Sequence, residues 1–178
     1  MKKILSFSIL FLFIFLNNAC TDKCKDVNCN NGICIEGNCS CDFGWTGDAC
    51  DTKISSKFFG KWTGILDCVN DTVTFKIEDV PDNLQKFKMH SIGLDFNLGA
   101  LPLNFDSYIL SANIDSSFTN FVIDTLPITL TIPQLGQDIS VDITGDGMFL
   151  QDSTIDLNLK FKPMDPLPVI NCSGNFKK

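Results

Sequence analysis

The sequence predicts a mainly β protein in two parts: a small disulfide-rich module, then an antiparallel barrel of about eight strands, with a two-sheet sandwich as the alternative. Three observations predict this. Seven of the nine cysteines fall between Cys20 and Cys50. Beyond Lys57, apolar and polar residues alternate at period two over most of the remaining chain, and helical spacing is not sustained there. Breakers rich in Pro and Gly separate these runs at intervals typical of sandwiches and barrels.

Met1-Lys2-Lys3 followed by the apolar run Ile4 to Leu16 opens the chain. That 13-residue run reaches only about 20 Å as a helix, against a hydrocarbon core roughly 30 Å thick. Residues 1–19 therefore read as a secretory signal peptide. Leu16-Asn17-Asn18-Ala19-Cys20 resembles the lipobox of bacterial lipoproteins, which implies cleavage before Cys20 and acylation of its sulfur. Parity agrees: nine cysteines are odd in number, and a lipid on Cys20 leaves eight to pair. Residues 20–23 would then tether the protein to a membrane through buried acyl chains. The expected location is extracytoplasmic, on the cell envelope at the outer membrane.

Cysteines at this density belong to oxidising compartments. Zinc sites favour Cys-x-x-Cys pairs or Cys/His clusters; these spacings differ, and His90 stands far away. The segment 24–50 is also too short to fold around an apolar core and needs cross-links. Asn30-Asn31-Gly32, Glu36-Gly37-Asn38 and Thr46-Gly47-Asp48 supply turns, and Ile33-Cys34-Ile35 offers a strand for a minimal hairpin. Spacing alone leaves the connectivity of the six cysteines open.

The run Cys39-Ser40-Cys41-Asp42-Phe43-Gly44-Trp45-Thr46-Gly47-Asp48-Ala49-Cys50 resembles the C-terminal half of an EGF-like module, and Cys24, Cys29 and Cys34 complete its six cysteines. The resemblance implies pairing of Cys24 with Cys34, Cys29 with Cys39, and Cys41 with Cys50. Each loop of about ten residues would contribute about 2.5–3 kcal/mol in the chain-entropy model. Calcium-binding members carry an acidic pair before the first cysteine and an aromatic later; Thr21-Asp22-Lys23 and Ile35-Glu36-Gly37-Asn38 supply neither in full. No metal is expected.

Residues 51–57 read as a polar linker and 58–178 as the β body. Val73, Phe75 and Ile77 alternate with polar neighbours, as do Leu94, Phe96 and Leu98; Ile128, Leu130 and Ile132; Ile139, Val141 and Ile143; and Ile155, Leu157, Leu159 and Phe161. Expected breakers include Pro81-Asp82-Asn83, Pro133 to Gly136 and Gly145-Asp146-Gly147. Closure would remove exposed edges from so long a meander. Gly60-Lys61-Trp62 on the first strand resembles the calycin superfamily, the lipocalins and avidins. That resemblance implies a lipocalin-like layout in which Trp62 plugs one end and the first and last strands are neighbours, bringing Cys68 and Cys172 together. The family's arginine over this tryptophan has no counterpart in a chain without Arg.

Charge and chemistry narrow the function classes. The chain carries 14 Lys, 21 acidic residues and a single His, for a formal net charge of −7. No run of basic residues is visible that would displace counterions from a polyanion, so nucleic acid is not an expected partner. His90 alone supplies no Ser-His-Asp arrangement and reads as a surface or satisfied histidine. Asp142-Ile-Thr-Gly-Asp146-Gly147 imitates the start of an EF-hand loop, but its twelfth position is Ser153 rather than Glu. Asn70 and Asn171 fit the glycosylation acceptor. The expectation is a lipid-anchored, non-catalytic protein without cofactor. The module would act as a stalk, and the β body would present its surface to a protein or glycan. The alternative is a carrier holding a small apolar ligand inside the barrel.

Overall fold

The computed structural model describes residues 22–69, 72–91, 94–98, 101–105, 108–132, 136–151, 153–164 and 167–178. The leader and Cys20 lie outside the described residues. The chain divides into two compact units after Thr52.

In the first unit, β1 (Gly32–Ile35) and β2 (Asn38–Cys41) form an antiparallel hairpin with Cys34 opposite Cys39. Its two turn residues, Glu36 and Gly37, have φ of 52° and 91°. Positive φ at both positions is what a two-residue turn needs to match strand twist. The cross-links are Cys24–Cys34, Cys29–Cys39 and Cys41–Cys50. Ile33, Ile35 and Phe43 are exposed, so covalent bridges rather than an apolar core hold this unit. Two further short strands are β3 (Trp45–Thr46) and β4 (Thr52–Lys53).

In the second unit, Lys53 leads into a 3-10 turn, Ile54–Phe58, in which Ser55 and Phe58 are fully buried. Within the stretch 51–57 read as a linker, Ile54 packs partly buried against the core and Ser55 is buried beside it, ahead of Phe58, whose ring enters the core. Then come β5 (Gly60–Leu66), β6 (Thr72–Asp79), β7 (Lys86–Ser91), β8 (Leu94–Leu98), β9 (Leu101–Phe105), β10 (Ile109–Ile114), β11 (Asn120–Ile132), β12 (Gln137–Phe149), β13 (Thr154–Pro163) and β14 (Ile170–Lys177). Eight of them close into an antiparallel barrel in the order β10-β11-β12-β13-β14-β5-β6-β7, which excludes the sandwich. The β8–β9 hairpin is inserted between β7 and β10 and forms its own two-stranded sheet.

Alternation explains the barrel wall: inward positions bury Val73, Phe75 and Ile77 on β6 and Ile155, Leu157, Leu159 and Phe161 on β13. One expected breaker proves otherwise. Gly145-Asp146-Gly147 runs inside β12, paired with β11 and β13. The reason is steric, since a Cβ at Gly147 would overlap the Phe121 ring. That glycine makes room for an aromatic from the next strand instead of ending its own. Pro127 is likewise tolerated within β11, next to an irregularity between Ile123 and Leu126.

The seam between the first and last barrel strands pairs β14 with β5, Gly174 opposite Leu66. Just beyond it, Cys68 and Cys172 form a disulfide with Cα atoms 5.1 Å apart. The Asp67 and Ser173 backbones meet there through Asp67 N–H donating to Ser173 O at 2.9 Å, and Ser173 N–H donates to Asp67 Oδ1 at 2.7 Å.

Candidate functional site

Three places on the barrel can hold function: its aromatic cluster, its interior and its outer wall. In the aromatic cluster Trp62 is fully buried, and its Nε1–H donates to Phe58 O at 2.7 Å. Phe58 stacks on Phe87 with centroids 5.6 Å apart and meets Phe121 and Phe149 edge-on at 5.9 and 5.5 Å. Phe149 also stands edge-on to Trp62 at 6.1 Å. Such pairs add about 0.5–1.5 kcal/mol beyond burial. Lys178 Nζ lies 5.1 Å from the Trp62 ring, and Lys57 Nζ lies 4.9 Å from the Phe149 ring. Desolvation lowers the pKa of both lysines; for Lys57, the Asp115 carboxylate opposes it. The Lys178 ammonium thus lies within cation–π distance of the Trp62 ring.

Asp115 organises the β10–β11 connection. Its carboxylate accepts from Ser117 Oγ at 2.8 Å and Asn120 Nδ2 at 2.8 Å, and from the Thr119 and Asn120 amides at 3.0 and 3.2 Å. Partial desolvation raises its pKa, but these four donors outweigh it and bring the value from 3.8 down to about 2. A depressed carboxylate stabilises the fold above its unfolded pKa and loses that contribution as pH falls through the folded value. The thermal stability of the Asp115→Asn variant should therefore trail the parent by a constant margin at neutral pH. The gap should close between about pH 4 and pH 2, where the parent loses the same interaction. The margin should stay below about 1 kcal/mol because the group is partly exposed; a gap unchanged down to pH 2 would refute the assignment.

Among the described residues the interior is filled. A void of about 20 Å3 remains among Leu66, Val73, Phe75, Met89, Leu110 and Phe161. That is room for about one water, far below the several hundred Å3 of a small-molecule site.

The outer wall is polar: Asp, Asn, Ser, Thr and Lys dominate the outward positions of the barrel strands. Among the described residues of the barrel strands, the exposed large apolar side chains are Ile65, Ile109, Val122 and Met148, fewer than the continuous apolar band that a membrane-spanning barrel presents. Along β11–β14 this wall carries two adjoining shallow grooves of about 560 and 500 Å3, which share Val122, Asp146, Asn158 and Ser173. Cross-strand pairs order their floor: Asn158 Nδ2 donates to Asp146 Oδ2 at 3.1 Å, and Asn175 Nδ2 to Asp156 Oδ1 at 2.7 Å. The stretch resembling an EF-hand loop lies on this wall as strand, and no group of three metal-binding side chains occurs among the described residues. Asn171 is exposed on β14, while Asn70 lies outside the described residues. His90 Nε2 lies 3.0 Å from Glu78 Oε2 on the opposite wall. Sequence reasoning missed both the grooves and Lys178, since neither leaves a local motif.

These features define a closed eight-stranded antiparallel barrel, filled inside and polar outside among its described residues, preceded by a disulfide-rich unit. No protein-family model and no curated protein matches the chain. Among solved structures, it is similar to a candidate outer membrane protein of Bacteroides fragilis NCTC 9343, with 13% identity and a TM-score of 0.43 over 70% of this chain. The match spans 52% of that protein, about half its length.

Proposed function

We propose that this protein is exported, anchored by lipid on Cys20, and works as a non-catalytic binding protein through the outside of its barrel. Residues 24–50 serve as an EGF-like stalk and 58–178 as the presented lipocalin-like domain. The close packing of the interior supports the reading: the void of about 20 Å3 among the described residues is far smaller than an apolar cargo, which favours recognition at the wall. The grooves of β11–β14 are the favoured place. Their Asn, Asp and Ser side chains around Val122 and Met148 suit a protein or glycan that exchanges hydrogen bonds for those of water. Four disulfides favour an oxidising compartment.

Native mass spectrometry of protein purified from its host tests this reading. We expect the intact mass of the acylated chain, beginning at Cys20, with nothing retained in the barrel. A stoichiometric apolar molecule surviving desalting overturns the filled-barrel reading, and a free Cys20 thiol overturns the anchor.

A further inference from the structure

Sequence order hides a basic surface that the barrel register assembles. Outward positions of β5, β6 and β7 carry Lys61, Lys76, Lys86 and Lys88, with Lys61, Lys76 and Lys88 exposed. Lys61 lies directly opposite Lys76, which lies opposite His90, which lies opposite the exposed Ile109 of β10. Like charges directly opposite one another destabilise a sheet, so the Lys61–Lys76 pair opposes folding. The only acid on these outward strand positions is Glu78, 2.6 Å from Lys76 and 3.0 Å from His90. Among the described residues Lys61, Lys86 and Lys88 have no carboxylate within ion-pair distance, although Lys88 faces Glu78 in register. Elsewhere the barrel does the opposite: Lys162 on β13 lies across from Asp142. β12, with outward Asp138, Asp142 and Asp146, sits four strands from β6 in either direction around the closed order. The barrel is electrically two-sided, and its net negative charge masks the basic side.

We infer that the lysine wall of β5–β7 docks on an anionic membrane surface. Lys61, Lys76 and Lys88 stand exposed on three neighbouring strands rather than converging on one point, so they suit an extended surface better than a small anion. Lysines are flexible point charges that follow mobile headgroups, whereas fixed bidentate recognition uses arginine. Ile109 at the end of the row adds an apolar contact at the interface. At about 0.1 M salt the Debye length is roughly 10 Å, so the acidic side across the barrel is largely screened from a surface the lysines touch. The choice of a membrane over an acidic glycan rests on the anchor proposed above, which would hold the chain beside one.

The test uses the chain Thr21–Lys178 without acyl groups, which keeps every described residue and makes the outcome independent of Cys20. Cosedimentation with vesicles of phosphatidylcholine and phosphatidylglycerol, mixed about 7:3, should show binding near 0.1 M salt that falls at least about tenfold near 0.5 M. Pure phosphatidylcholine vesicles should not bind it. Each lysine near an anionic leaflet strengthens partition roughly fivefold, so Lys61→Glu with Lys88→Glu should weaken it about 25-fold or more. Lys160→Glu with Lys162→Glu, on another wall, should leave it within about twofold. Unchanged circular dichroism and unfolding midpoint check that both variants fold, with single Lys→Gln changes as the fallback. Equal partition to both vesicle types, no binding at the lower salt, or an unaffected Lys61/Lys88 variant overturns the inference. So does tighter binding to soluble alginate than to the vesicles, which would assign the wall to an acidic glycan.

Discussion

Replacing Cys68 and Cys172 together by alanine should lower the unfolding free energy of the barrel by about 4–5 kcal/mol, more than removal of any of the three short-loop disulfides. The bridge spans a sequence separation of 104, and closing a loop of that size removes up to about 4.7 kcal/mol of chain entropy from the unfolded state. Both sulfurs also leave the edge of the core, where Cys172 is buried. The loss should appear in urea melts as a lower midpoint, the slope rising as the unfolded chain expands. The native spectrum should persist at zero denaturant, because the β14–β5 ladder and the Asp67–Ser173 contacts still hold the seam. A shift under about 1 kcal/mol would mean that the unfolded chain keeps these strands together without the bond.

Trp62→Ala should cost about 3–5 kcal/mol from lost burial and the cavity left behind. It also leaves Phe58 O without its donor in a buried site, a further penalty of about 1–3 kcal/mol. The two terms overlap, because Phe58 can relax into the space. Trp62→Phe separates them: it keeps most of the ring volume and loses the hydrogen bond, so it should cost about 1–3 kcal/mol. Chemical unfolding of both variants measures the costs, and near-ultraviolet circular dichroism follows the aromatic cluster. If Trp62→Ala proves no worse than Trp62→Phe, the ring is not what holds this cluster together.

The β character of the body was legible because its alternation is strict: Val73, Phe75 and Ile77 or Leu157, Leu159 and Phe161 permit one buried face and no other. What misled was glycine. Gly145 and Gly147 read as a turn by composition, yet they sit mid-strand because rings and methyls from β11 and β13 occupy the space their side chains would need. That information belongs to the neighbouring strands and is absent from the local sequence. The lysine wall is invisible for a related reason. Lys61 and Lys76 stand fifteen positions apart and meet only through register, so a search for basic runs finds nothing. Lys178 comes within cation–π distance of Trp62 from the far end of the chain, where no spacing rule reaches.

Most barrel ladders join strands that are consecutive in the chain, and two do not: β7 with β10, across the inserted hairpin, and β14 with β5. Hairpins of neighbouring strands form on local loop closures, whereas the final pairing waits for nearly the whole body to be present. A nascent chain would thus assemble as a growing open sheet whose last edge finds its first. Until that meeting, two unpaired margins stand open to other molecules, and oxidation of the sulfurs flanking them makes the ring's completion permanent.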